Sequence, residues 1–102
     1  MNLMQLFGIK SQKQKIVEAK SRGAIVVDVR TPAEFKHGHI RGSVNIPLDK
    51  IGSKSAELAK KGKPVITCCR SGMRSRSAAM TLKAKNIEAI NGGAWTSLQK
   101  LL

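Results

Sequence analysis

Short apolar runs alternate along this chain with stretches whose apolar residues fall at helical spacing. Residues 24–29 (Ala-Ile-Val-Val-Asp-Val) form a β-branched run of buried-strand length between Gly23 and Arg30. A second run covers 44–46 and stops at Pro47, a third covers 65–68, and a fourth covers 87–90. Ahead of the first strand, the pattern predicts a helix over 11–22. Ser11 and Gln14 are spaced as a capping box, Ile16, Val17 and Ala19 supply an apolar face, and Gly23 stands where a C-terminal cap belongs. Thr31-Pro-Ala-Glu34 carries a second helix start, and 37–43 reads as a loop rich in turn residues. A helix beginning at Ser53 or Ser55 runs to Ala59 and is ended by Lys61-Gly-Lys-Pro64. A loop at 69–74 leads into an alanine-rich helix over 75–85, and Asn91-Gly-Gly93 into a last helix over 94–101. Strands alternating with helices predict a parallel α/β sheet with helices on both faces.

Composition narrows this picture. A chain of 102 residues has room for one domain and one core, so residues 1–102 are read as a single unit, with 1–10 an N-terminal extension or first element. Hydrophobic residues at 41% and charged residues at 25% suit a globular protein. Nineteen Lys and Arg against six Asp and Glu give a formal net charge of +13, a surface that attracts anions. The basic residues are dispersed and the aromatics number only Phe7, Phe35 and Trp95, so no specific nucleic-acid surface is expected. Cys68 and Cys69 are adjacent and cannot staple distant segments; free thiols suit a reducing compartment. The first eight residues lack a basic start, a sustained apolar stretch and a cleavage site, and nothing approaches membrane-spanning length. A cytoplasmic protein with no membrane association is expected.

The chemistry concentrates in Cys69-Arg-Ser-Gly-Met-Arg-Ser75, between an apolar strand and a helix, where α/β folds hold their ligands. A compact loop there turns successive N–H groups inward as an anion cradle, and the helix N-terminus adds partial positive charge. Gly72 permits the backbone angles required, and Ser75 is a candidate helix cap. A cysteine at the mouth of that cradle, beside Arg70 and Arg74, is favoured as thiolate, the form that acts as nucleophile.

At these residues the chain resembles a single-domain rhodanese. Ile25-Val-Val-Asp28-Val-Arg30 resembles that family's Asp-Val-Arg strand end, and Glu34-Phe35 with His37-Gly38-His39-Ile40 its Glu-Phe…Gly-His-Ile element. Asn45-Ile46-Pro47, the Cys69 loop and Asn91-Gly-Gly93 with Trp95 follow in the family's order. The resemblance implies a three-layer α/β/α fold with a central, mostly parallel sheet of about four to five strands. It also implies a sulfurtransferase: Cys69 is the catalytic residue that carries a sulfane sulfur as a persulfide. Arg70, Ser71, Gly72, Met73, Arg74 and Ser75 bind the substrate, with no metal and no cofactor. Its partners are a small anionic sulfur donor and a thiol or protein acceptor, on a monomer or weak dimer. Cys69 to Arg74 spans six residues, the length that the family's sulfurtransferases use, whereas related phosphatases and arsenate reductases use seven. The alternatives are a non-turnover sulfur carrier or protein-binding module and, further off, a phosphatase or arsenate reductase. Departures from the family pattern are Arg41 in place of Pro, Asn86 in place of Gly, and Cys68 in place of an aromatic residue.

Other reactive-looking residues have plainer readings. Cys68 alternates with Cys69 on the strand and is read as core. His37 and His39 lack the further ligands of a zinc site and are read as loop hydrogen-bonding groups. Asp28 and Arg30 are read as a structural ion pair, and Trp95 as core.

Overall fold

The computed structural model describes residues 9–102. The reading of 1–10 as an extension or first element thus lies almost wholly outside the described residues. Helix α1 (Gln12–Ser21) starts with the capping box: Ser11 Oγ accepts from the Gln14 N–H at 3.1 Å, and Gln14 Oε1 accepts from the Ser11 N–H at 2.8 Å. Strand β1 (Ile25–Asp28) leads to the short helix α2 (Pro32–Lys36), whose Thr31 and Glu34 form a second capping box. Strand β2 (Val44–Asn45) follows, and a 3-10 turn (Leu48–Lys50) runs into α3 (Ile51–Lys60). The chain then forms β3 (Val65–Cys69), α4 (Met73–Ala84), β4 (Ala89–Ala94) and α5 (Trp95–Gln99).

The four strands make one parallel sheet in the order β2-β1-β3-β4. Two apolar clusters cover its faces. Val27, Val29, Val65 and Cys69 pack against Ile51 and Leu58 of α3 and Ala78, Ala79 and Leu82 of α4. Val26, Ile66, Cys68 and Ile90 pack against Ile16 and Ala19 of α1 and Leu98 of α5. These are the three layers of an α/β/α sandwich. Strand alternation sends neighbouring side chains to opposite faces, so Cys68 and Cys69 belong to different clusters. Burying each Val, Leu or Ile contributes about 1.5–3 kcal/mol, and small alanines on the inner face of α4 let that helix lie close to β3. None of the described helices is long and apolar enough to cross a membrane.

Several boundaries differ from the sequence reading. Helix α4 begins at Met73, not at residue 75, and its N-cap is Gly72 in the left-handed region (φ +98°) with no side-chain cap. Ser75 is therefore not the cap; it lies in the first turn with its hydroxyl turned inward. Helix α3 begins at Ile51, ahead of Ser53 and Ser55, because the 3-10 turn after Pro47 already supplies its first turn. Strand β4 is displaced to Ala89–Ala94, and Asn91-Gly-Gly93 continues it instead of breaking it. A Cβ on Gly92 would lie 2.7 Å from the Thr67 carbonyl oxygen and 2.8 Å from Ile66 Cγ2 and Leu98 Cδ2. Glycine is there for close approach to β3. Of the apolar face expected from Ile16, Val17 and Ala19, Val17 is 48% exposed, since the sheet covers only Ile16 and Ala19. Asn86 adopts φ +62°, the left-handed conformation that asparagine tolerates, just beyond α4.

Candidate active site

Cys69 is the last residue of β3, on the side facing α3 and α4. The chain then passes through Arg70 and Ser71, both exposed, and reverses at Gly72. The positive φ of Gly72 turns its peptide inward, and its N–H donates to Cys69 Sγ at 3.0 Å. The Ser75 N–H donates to the same sulfur at 3.4 Å from the first turn of α4. The sulfur thus sits inside the cradle and is fully buried, deeper than a mouth position. Burial pushes the Cys69 thiol up, but the Ser75 hydroxyl and the N–H groups of Ser75, Gly72 and Ser71 together outweigh it. The pKa is lowered from its ordinary value. The partial positive charge at the N-terminus of α4 acts in the same direction.

A side-chain network supports the cradle. The Cys69 thiol donates to Ser75 Oγ at 3.4 Å, and the Ser75 hydroxyl donates to Asn91 Oδ1 at 2.7 Å. Asn91 Nδ2 donates to the Gly72 carbonyl at 3.2 Å, and the Gly93 N–H donates to Asn91 Oδ1 at 2.9 Å. Thr67 Oγ1 donates to the Ser75 carbonyl at 2.7 Å. The Ser75 hydroxyl therefore serves either protonation state: it accepts from the thiol while donating to Asn91, and can rotate its proton onto a thiolate. No buried side-chain nitrogen or oxygen among the described residues lacks a partner.

The two loop arginines differ. Arg70 is exposed. Arg74 is half-buried and bidentate to Glu34 of α2, Nη1 to Oε1 at 2.7 Å and Nη2 to Oε2 at 3.0 Å. That guanidinium, with the Thr31 N–H, holds the Glu34 carboxyl at about 2. The pair clamps the end of the loop to the α2 capping box. Met73 projects into solvent, 78% exposed.

The remaining reactive-looking residues sit in structural positions. Asp28 and Arg30 form a buried pair at the end of β1: Arg30 Nη2 donates to Asp28 Oδ2 at 2.7 Å and to the Gly38 carbonyl at 2.7 Å. The guanidinium lies over the half-buried Trp95 ring, 4.8 Å from its centroid. His39 Nδ1–H donates to the Phe35 carbonyl at 2.8 Å, and the imidazole stacks on the Phe35 ring. Cys68 is fully buried, and burial with the nearby Asp28 carboxylate pushes its thiol up to about 12. Glu34 and Asn91, which stood in the sequence only as parts of longer motifs, are here the partners of Arg74 and Ser75. Thr67 went unnoticed because a polar residue inside an apolar strand run carries no signal of its bond to a helix one loop away.

The fold and the site together define an α/β domain built around one buried thiol in a backbone anion cradle. The profile of the Rhodanese-like domain family matches residues 11–97, and the chain belongs to that family. The uncharacterized protein YqhL of Bacillus subtilis (strain 168) is 39% identical over 75 residues, covering 74% of this chain and 59% of that protein. Thiosulfate sulfurtransferase GlpE of Ectopseudomonas mendocina (strain ymp) is 34% identical over 83 residues, covering 78% of this chain and 75% of GlpE. The solved structure of a rhodanese with anions from E. coli superposes with a TM-score of 0.66 at 27% identity. It covers 72% of this chain and 88% of that one. The chain spans less than half the length of several other relatives it matches.

Proposed function

We propose that this domain is a sulfurtransferase, moving a sulfane sulfur from thiosulfate or a persulfide or polysulfide donor to a thiophilic acceptor through a Cys69 persulfide. The observation that carries the reading is the cluster of donors on one sulfur: Gly72 and Ser75 N–H groups at 3.0 and 3.4 Å and the Ser75 hydroxyl within reach. In the loading step the Cys69 thiolate attacks the outer sulfur of the donor. With thiosulfate, the new bond joins Cys69 Sγ to that sulfur, the S–S bond of thiosulfate breaks, and sulfite leaves with the electron pair. The cradle of residues 70–75 stabilises the anionic persulfide that remains. An acceptor thiolate then attacks the outer sulfur, the Cys69 Sγ–S bond breaks, and Cys69 returns as thiolate.

The names of relatives support the reading without fixing the donor: one is a thiosulfate sulfurtransferase and another a putative sulfur carrier protein. Mass spectrometry of the protein after exposure to thiosulfate, polysulfide or a low-molecular-weight persulfide tests it. One added sulfur, about 32 Da, is expected on the wild-type protein and on Cys68→Ser, and not on Cys69→Ser. A wild-type protein that takes up no sulfur from any of the three donors overturns it.

A further inference from the structure

Helix α4 buries Ser75, Ala78, Ala79 and Leu82 against the sheet. At 100° per residue the opposite face is centred on Met73, Met80 and Ala84, and all three are exposed, the methionines at 78% and 61%. Met73 and Met80 are seven residues apart, about 10 Å along one ridge. The ridge begins at the Cys69 loop, because Met73 is the first residue of α4. Its neighbours are cations. Arg76 and Lys83 flank it on α4, Arg70 stands at its loop end, and α4 contains no acidic residue.

Ion pairing makes this charge available. Five of the six acidic side chains already pair with a basic one: Glu18 with Lys10, Glu88 with Arg22, Asp28 with Arg30, Glu57 with Lys54 and Glu34 with Arg74. Among the described residues, no carboxylate pairs with Arg70, Arg76 or Lys83. Exposed methionine beside arginine is the composition of interface cores, and methionine adapts to the shape it meets. Phosphate backbones would use the cations and leave the methionines solvated. An acidic protein with an apolar side chain in its contact uses both.

We propose that the outer face of α4 docks an acidic protein that presents a thiol to the Cys69 persulfide. The proposal rests on the persulfide reading above and names the class of acceptor. The docked thiolate attacks the outer sulfur, a bond forms between those two sulfurs, and the Cys69 Sγ–S bond breaks to leave the Cys69 thiolate. Charge steers the partner on, and the methionine ridge holds its register beside the loop.

The test loads the protein with sulfane sulfur and times its discharge to three probes. These are a glutamate-rich peptide carrying one cysteine and one leucine, the same peptide with lysine for glutamate, and glutathione. The acidic peptide is expected to discharge Cys69 about tenfold faster than the basic one at low ionic strength, and the gap should close as salt screens the attraction. Arg76→Glu combined with Lys83→Glu should reduce the preference to about twofold, and Met80→Gln should slow the acidic peptide severalfold, each leaving the glutathione rate unchanged. Equal rates for the two peptides on loaded wild-type protein overturn the docking proposal alone. A preference that survives the charge reversals overturns it too, as does binding of a DNA oligonucleotide that outcompetes the acidic peptide whatever stands at Met80. Failure of the wild-type protein to load sulfur overturns the underlying reading as well, and the mass measurement shows that separately.

Discussion

Replacing Ser75 by Ala removes the side-chain donor to the Cys69 sulfur and leaves the backbone N–H groups of the cradle in place. The side chain is fully buried, and its loss leaves Asn91 Oδ1 still bonded by the Gly93 N–H and Asn91 Nδ2 still on the Gly72 carbonyl. The change therefore acts mainly on the sulfur. A hydrogen bond to a charged group is worth about 1.5–3 kcal/mol, and one pKa unit corresponds to about 1.36 kcal/mol. The thiol form also loses a partner, the weak S–H bond to Ser75 Oγ at 3.4 Å, which offsets part of that difference. The net expectation is a rise in the Cys69 pKa. The sign is upward because the hydroxyl stabilises the thiolate more than the thiol. The rate of alkylation by iodoacetamide against pH reads the shift, in a protein where Cys68, buried and held protonated up to about 12, contributes no signal. Sulfur loading near neutral pH should slow by up to about tenfold, following the thiolate fraction. An unchanged or lower alkylation pKa in Ser75→Ala would show that the backbone alone sets the thiolate and that the Ser75 hydroxyl serves only Asn91.

Asp28→Asn should lower stability by about 3–5 kcal/mol, read by urea denaturation, because it leaves the buried Arg30 guanidinium without a counter-charge; a loss below about 1 kcal/mol would contradict the buried pair. Gly92→Ala should cost at least about 1–3 kcal/mol, since the new Cβ meets the Thr67 carbonyl oxygen at 2.7 Å and neither strand can move away without breaking the sheet. A neutral result would mean that β4 does not lie as close to β3 as described. Glu34 contributes with a defined sign: its folded-state carboxyl is held at about 2, below the ordinary 4.5. Its contribution is fully present above about pH 4.5 and is lost as pH falls toward 2, and Glu34→Gln should flatten that part of the acid-denaturation curve. Because the pair is partly exposed, its amplitude should be about 1 kcal/mol or less. A curve identical to wild type would show that the clamp adds no stability.

The parts of the fold governed by local chemistry were legible in the chain. Capping boxes at Ser11 and Thr31 mark their helices because the donor and acceptor lie three residues apart. The apolar runs at 24–29 and 65–68 mark the central strands, observed as Ile25–Asp28 and Val65–Cys69, the second running one residue into what reads as loop. Alternation alone separated Cys68 from Cys69 and put them in opposite clusters. What failed to read was set by distant contacts. The two glycines after Asn91 look like a chain break, yet Gly92 continues β4 because β3 and α5 leave no room for a side chain. Ser75 looks like a helix cap, but the left-handed Gly72 already turns the chain, which frees the serine hydroxyl for Asn91 and the sulfur. The partner of Arg74 could not be read, because Glu34, which holds both of its terminal nitrogens, lies forty residues away in sequence. The cysteine loop was visible as a motif; the depth of the sulfur and the hydrogen bonds around it were not.

The central claim is that one sulfur atom rides on Cys69. Intact-protein mass spectrometry after incubation with a sulfane-sulfur donor, followed by addition of a thiol acceptor, tests it directly. The account predicts a gain of about 32 Da that maps to Cys69, persists in Cys68→Ser, is absent from Cys69→Ser, and disappears on adding the acceptor. A gain that maps to Cys68, or no gain with thiosulfate, polysulfide or a persulfide, would contradict it.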